Sequence, residues 1–362
     1  MKKFLKVFAI ALVVFGIIAA VIGMQIKKAQ AETGERNAEI NEKWFEETVD
    51  KIEKEQEEKI EDKTVEVIQD PLLKAIKESN RINIVVMGLE KDPRTDVIIF
   101  ASCDPDTKKV DLISVPRDTY LYEEGYENAG HKKINSYYGK KNEDGTMRKA
   151  EGTRQAVSEV LGVPVHHYVT VSYSGVEKII DAIGGITVNV PMRMDYKDPT
   201  DKPPLVIDIP KGKQHLDGHN TIGFLRYRHG NMREDGSFEG GYPDGDLGRI
   251  RAQQSAIKEV IRKSISLNLP KVVEKTFEAV KTDMTFSDIL AYATTFANFN
   301  MDDLSMCTLD GDGKYIDKIS YFVVDEEALE DRFKEMYGVF TQLGEDENLK
   351  ESIENSEETA KE

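Results

Sequence analysis

The stretch RINIVVMGLEKDPRTDVIIFASCDPDTKKVDLISVPRDTYL, residues 81–121, holds three apolar runs in close succession. Residues 81–89, 96–104 and 109–116 are rich in Val and Ile and are bounded by Gly, Pro or Asp, which is the pattern of short strands. The third run stops at Pro116, a residue that cannot donate to a strand ladder, and Arg117 and Asp118 follow at once. An opposite-charge pair at a strand tip is either a turn with a surface ion pair, worth less than about 1 kcal/mol, or a binding or catalytic group held on a rigid element.

Working outward, residues 166–172 and 185–191 read as further strands, while 152–161, 174–183, 247–265 and 287–299 carry helical periodicity. A last strand and a last helix fall near 321–338. Strands and helices mixed in this order predict a single layered α/β domain over 81–343, with a mixed central sheet between helices. There is no internal repeat.

Residues 7–24, VFAIALVVFGIIAAVIGM, carry no charge and follow Lys2, Lys3 and Lys6. With Gln25 and Ile26 the run is long enough to span a bilayer. It exceeds a usual signal-peptide core, and Lys27 and Lys28 separate it from the small-residue site AQA at 29–31, so it reads as an uncleaved anchor. The lysines on the short side predict a cytoplasmic tip, residues 1–28 being tip and transmembrane anchor, with the rest of the chain outside the cell membrane. Residues 29–80 alternate charges, place Trp44, Thr48, Ile52 and Ile60 at near-helical spacing, and read as a solvated helical stalk. The acidic stretch 344–362 has no aromatic residue and reads as a disordered tail. A net charge of −17 argues against nucleic acid as a partner, because a binding face for phosphates would have to be basic. Cys103 and Cys307 are the only cysteines, which excludes a disulfide scaffold and leaves a single bridge between them open.

Three places put charge at strand ends or in irregular segments. In MGLEKDPRTDVII, residues 87–99, Glu90, Asp92, Arg94 and Asp96 lie between two strands; short carboxylates beside a turn suit a hard cation that keeps most of its water, although charged turns are common. The second place is Arg117 and Asp118. The third is residues 222–254, IGFLRYRHGNMREDGSFEGGYPDGDLGRIRAQQ, where Arg226, Arg228, Arg233, Arg249 and Arg251 are crowded together. Arg226 and Arg228 alternate on an apparent strand and so share one face, and Asp246 is placed to cap the helix that carries Arg249. Several guanidinium forks together match a pyrophosphate better than a lone carboxylate, against the plainer reading of an arginine-rich solvated loop. DGDGKY at 310–315 lacks the Gly and Glu of a calcium loop and reads as a turn, and the six histidines show no zinc spacing.

These places, in this order, resemble the LytR-CpsA-Psr family, whose members attach glycopolymers to the bacterial cell wall. GLEKDPRTD, LISVPRDTY and HKKINSYYG carry the resemblance, with IDAIGGITVNVP, LDGHNTIGFLRYRH and GDLGRIRAQQ after them, over residues 82–265. The resemblance implies a Mg²⁺-dependent phosphotransferase that moves a glycopolymer from a polyprenyl-pyrophosphate carrier to a hydroxyl of peptidoglycan. It implies Arg94, Arg117, Lys133, Arg226, Arg228, Arg249 and Gln253 as pyrophosphate ligands and Glu90 and Asp96 as metal ligands, with Asp92 competing for the place of Glu90. Arg117, Asp118 and Asp96 become the catalytic candidates, and a carboxylate, Asp96 or Asp118, is preferred as general base because an arginine keeps its proton. Arg251 stands one helical position away from the family's arginine and points differently. A lipid-pyrophosphate hydrolase would use the same groups with water as acceptor, and a non-enzymatic glycan- or lipid-binding surface protein would need neither the carboxylates nor Arg117.

Overall fold

The structure, a computed structural model, describes residues 2–56, 70–89, 94–201, 204–265, 274 and 276–339, with side chains from 25 onward except those of 53, 55, 56, 246, 247 and 265. Its elements are α1 (Lys2–Gln56), α2 (Pro71–Glu78), β1 (Ile82–Leu89), β2 (Thr95–Cys103), β3 (Val110–Val115), α3 (Lys149–Leu161), β4 (His167–Ser172), α4 (Tyr173–Ala182), β5 (Ile186–Val190), β6 (Met194–Asp198), β7 (Leu205–Ile209), β8 (Gly212–Leu216), α5 (Gly218–Arg226), α6 (Asp246–Ile265), β9 (Val280–Thr282), α7 (Phe286–Thr295), β10 (Leu304–Thr308), β11 (Gly311–Ile316), β12 (Ile319–Val324) and α8 (Glu326–Met336).

The expected mixed sheet runs in the order β10-β3-β2-β1-β4-β9, with β1 antiparallel to β2 and parallel to β4. Alternation along its strands divides the domain in two. Val85 and Met87 of β1 and Ile98 and Phe100 of β2 face one side, where they form a core with α3 and α8. Val86, Gly88, Val97 and Ile99 face the other side, toward α4, α5 and α6. Behind those helices a second core gathers residues of β5 to β8, with Phe224 and Tyr227 near the end of α5.

The segment read as a solvated stalk is helical as far as Gln56, but it does not stand free: one face of it is docked on the domain while the rest stays exposed. Thr33, Asn37 and Asn41 share one face of α1 at helical spacing, and each is nearly fully buried against the domain. Gln30 donates to Thr295, Arg36 pairs with Asp288 at 2.6 Å, and Asn37 donates to the Tyr292 hydroxyl at 3.1 Å. The Asn41 Oδ1 meets His166 Nε2 at 2.8 Å, and Trp44 packs on the first core. Polar residues cover this face, so hydropathy could not reveal it.

One smaller expectation is also corrected, and the bridge left open between the two cysteines is answered. Residues 311–316 form β11, paired with β12, rather than a turn, and Asp310 is bound by Arg332. Cys103 and Cys307 are both free thiols, and burial pushes the Cys103 thiol up to about 12. The apolar run 7–24 falls before the residues whose side chains are described, and the tail 344–362 lies outside the described residues altogether; among the residues with described side chains, no helix is long and apolar enough to cross a membrane.

Candidate active site

The sheet register builds the first ion pair. In the β2/β3 ladder Ile98 stands opposite Val115, so two further residues on each antiparallel strand bring Asp96 opposite Arg117. Arg117 Nη1 donates to Asp96 Oδ1 at 3.0 Å, and both side chains keep about a third of their surface, 39% and 30%. Past Pro116 the chain turns sharply, because the buried Thr119 donates to the Pro116 carbonyl from both its N–H and its hydroxyl. Tyr120 then bridges Lys133, which carries the Lys133 ammonium to 2.8 Å from Asp118 Oδ1. The strand tip therefore carries two cations, Arg117 and Lys133, each paired with a carboxylate; Asp96 and Arg117 line the cavity described next, whereas Asp118 and Lys133 are not among its lining residues.

The helices on that face complete a cavity of about 410 Å³. Arg249, Gln253, Ala256, Ile257 and Val260 recur at helical spacing along α6 and turn one stripe toward it. From α5, Ile222 and Leu225 line it and Arg226 ends the helix at its rim, with the guanidinium carbon 5.0 Å from the centre of the Tyr173 ring. From the sheet come Val86, Val97, Ile99 and Val171. The result is a branched aliphatic interior with Asp96, Arg117, Arg226, Arg249 and Gln253 among its lining residues.

Arg226 and Arg228 do not share a strand face. Asp217 caps α5 by accepting from the Asn220 N–H at 2.8 Å, and the helix runs to Arg226. The chain is extended at Tyr227, so Arg228 lines a different cavity with His229 and Phe238. Arg94 also stands apart, in a third cavity with Tyr126, His131 and Lys141. Arg251 is exposed and paired with Asp244, away from the stripe of Arg249 and Gln253. Glu90 and Asp92 lie outside the described residues, as does the side chain of Asp246.

Sequence reading missed two residues of the site. Asp201, in the connection between β6 and β7, accepts from Arg226 Nη1 at 2.9 Å, and both side chains are largely buried. Tyr173 opens α4, whose cap is Ser172, and underlies Arg226. A DPTD turn and a tyrosine after a strand are too ordinary to attract notice. Of the histidines, His166 and His167 are buried at the α1 seam, far in role from a metal site, and no group of three or more potential metal ligands occurs among the described residues.

The model of the LytR_cpsA_psr family matches residues 39–337. The chain belongs to that family. Teichoic acid transferase TagV of Bacillus subtilis, whose full name is polyisoprenyl-teichoic acid–peptidoglycan teichoic acid transferase, is 28% identical over 260 residues, covering 68% of this chain and 62% of TagV. The match thus spans less than two thirds of that relative's length. The regulatory protein MsrR of Staphylococcus aureus is 29% identical over 252 residues, 67% of this chain and 68% of MsrR. The crystal structure of B. subtilis TagV superposes with a TM-score of 0.55 at 26% identity, covering 72% of this chain and 98% of that one. The family member described here therefore has relatives named both as transferases and as a regulator, and its site must decide between them.

Proposed function

We propose that the protein is a phosphotransferase that moves a glycopolymer from a polyprenyl-pyrophosphate carrier to a hydroxyl of peptidoglycan. The observation that carries this reading is the cavity itself, aliphatic within and lined by Arg117, Arg226 and Arg249. A hydrocarbon chain gains by burial among Val, Ile and Leu side chains, while guanidinium forks match the oxygens of a diphosphate. The relatives named as polyisoprenyl-teichoic acid–peptidoglycan teichoic acid transferases support a lipid-linked donor and a peptidoglycan acceptor.

In this reading the acceptor oxygen attacks the sugar-side phosphorus. A new P–O bond forms, the bond to the bridging oxygen breaks, and polyprenyl phosphate leaves with the electron pair. Arg117, Arg226 and Arg249 hold the diphosphate and offset the charge that spreads over its oxygens. Asp118, at the same strand tip as Arg117, takes the acceptor's proton on a carboxylate oxygen. Magnesium accepts one or two protein carboxylates when phosphate oxygens and water complete its shell, so Asp96 on the cavity lining fits as a ligand, with Glu90 the second expected one. When bound, the ion supplies charge stabilisation at the phosphate oxygens. The uncharged run 7–24 suits an anchor that holds the domain at the outer face of the membrane, where lipid carrier and peptidoglycan meet.

The full chain, incubated with a lipid-linked glycan and peptidoglycan fragments with and without Mg²⁺, should yield glycan-modified fragments and free polyprenyl phosphate. Release of free phosphoglycan without any modified fragment would establish the hydrolase instead, and no turnover of the donor would leave a binding protein. Protease added to intact cells should digest the domain; complete protection would overturn its placement outside.

A further inference from the structure

Between the two arginine-bearing helices α5 and α6 the chain makes an excursion that the phosphoryl chemistry does not use. Residues 229–241 fold back on themselves as an irregular hairpin, with bridges His229 to Gly241 and Met232 to Phe238. Its backbone is closed by Gly230 N–H to the Glu239 carbonyl at 3.0 Å and Arg233 N–H to the Ser237 carbonyl at 2.7 Å. Asn231 ties the hairpin to β6 by accepting from the Lys197 N–H and donating to the Lys197 carbonyl. The crossing is so close that a Cβ at Gly230 would stand 2.0 Å from the Glu239 carbonyl oxygen. Gly241 has φ +133°, and a Cβ there would press on His229.

This pinned frame displays aromatic rings to solvent. His229 and Phe238 stack with centroids 3.7 Å apart and an interplanar angle of 28°, and Tyr196 meets His229 edge-on at 6.4 Å. Phe238 remains 48% exposed and Met232 68% exposed. The stack borders a cavity of about 440 Å³, lined also by Arg228, Gly240, Gly241 and Tyr242. Burial would be the ordinary fate of such rings, and the frame instead keeps one broad face open beside polar groups.

We propose that this hairpin is a saccharide-binding platform for the uncharged glycan strand of the acceptor. A β-linked pyranose chain presents rows of C–H groups whose partial positive charge suits the negative face of an aromatic ring, and its hydroxyls find Arg228 at the same cavity. Charge selects between the two glycans that reach this rim. With Asp244 answered by Arg251 and Glu239 lying 3.9 Å from Arg233, Glu234 and Asp235 stand against Arg228 alone, so the hairpin offers no excess of positive charge to a phosphate-rich donor polymer and a neutral sugar chain meets no such penalty. The connection to Arg226 on one side and to Arg249 on the other places a bound strand next to the cavity where its hydroxyl must react. This inference rests on the transferase reading and specifies where the acceptor is held.

The test uses the full chain in detergent micelles with the tetramer of β-1,4-linked N-acetylglucosamine as probe. Saturation transfer from the protein should mark the C–H faces of the sugar, and Phe238→Ala should weaken binding about tenfold, the scale of one lost aromatic face. Phe238→Trp should restore it, and Arg117→Ala should bind the oligosaccharide as the unaltered chain does. In turnover, Phe238→Ala should raise KM for the acceptor and leave KM for the donor in place. Binding that is insensitive to Phe238→Ala, or competition by soluble poly(glycerol phosphate) at lower concentration than by the oligosaccharide, would overturn the proposal. Oligosaccharide binding requires no turnover: a chain that binds through Phe238 yet transfers nothing breaks the transferase reading, whereas normal transfer with unaltered acceptor KM in Phe238→Ala breaks this inference alone.

Discussion

Arg81 and Arg117 sit at opposite ends of the same sheet and lead different lives. Arg81, at the start of β1, is 4% exposed. It donates to the Ser102 hydroxyl at 2.8 Å, to the Met336 carbonyl at 3.1 Å and to Asp111, with Asp104 3.7 Å away. Every direction of its guanidinium fork is met by the protein. Arg117, at the far end, keeps 39% of its side chain exposed beside an open cavity. One arginine closes the fold and the other is left facing a space that an anion can fill. The difference shows that a charged residue's role follows from how completely the protein itself answers its donors.

The largest expected effect falls on the closed end. Arg81→Ala should destabilise the domain by about 3–5 kcal/mol, because it strands Asp111 and Asp104 in a poorly hydrated place. Burial already holds the Asp111 carboxyl above its usual range against the pull of Arg81. Urea unfolding measures the loss, and Arg81→Ala with Asp111→Asn should be less damaging than Arg81→Ala alone; equal or greater damage would break the contrast.

At the open end the cost should appear in rate. Arg117→Ala, Arg226→Ala or Arg249→Ala should each slow transfer by about a hundredfold or more, near 3 kcal/mol of transition-state stabilisation. Arg117→Ala should shift stability by no more than about 1 kcal/mol, as for other partly exposed pairs. Arg→Lys should rescue poorly, since an ammonium cannot supply two fixed parallel bonds. Normal transfer in all three alanine variants would remove the clamp.

A third expectation concerns the seam of α1. His166 is buried with its Nδ1 accepting from the Asn83 N–H, and burial lowers its pKa from 6.5 to about 3. The unfolded chain therefore takes up a proton that the folded chain refuses, and stability present above pH 6.5 is lost as pH falls toward 3, at about 1.4 kcal/mol per pH unit. Thermal unfolding between pH 6.5 and about 5, above the range where carboxylates titrate, should show this slope, and His166→Gln should flatten it. An unchanged slope would show that another group carries the pH dependence.

The smallest effect belongs to Arg251. It is exposed and paired with Asp244 away from the cavity, so Arg251→Ala should change both rate and stability by less than about 0.5 kcal/mol. A loss comparable to that of Arg249→Ala would place the functional stripe of α6 on the wrong face.

Much of this was legible in order along the chain. Val and Ile runs bounded by Gly, Pro and Asp announced β1 to β5, because a strand's alternation and its breakers are local properties. The charge after Pro116 was visible for the same reason. Arg226 reads as a strand residue in the sequence yet ends a helix, because GFLRYR is short and apolar, and such a run does not distinguish strand from helix until its cap and its packing are known. The docking of α1 has no signal in the sequence, since Thr33, Asn37 and Asn41 look like a solvated face and become a seam only when His166 and Tyr292 stand opposite.

By itself, then, the sequence determined β1 to β4 of the sheet, the charged strand tip and the spacing of Arg249 and Gln253 on one helical stripe, all of which depend on residues close together in the chain, whereas the edge strands β9 and β10 carry no such local signal. Tertiary structure alone decided that Asp96 would face Arg117, that Asp201 would reach Arg226, and that Arg94 and Arg228 would open onto other cavities. Those outcomes depend on register between strands, on where a helix ends and on which faces pack together. They are settled by burial and by the pairing of distant polar groups, which no local pattern encodes.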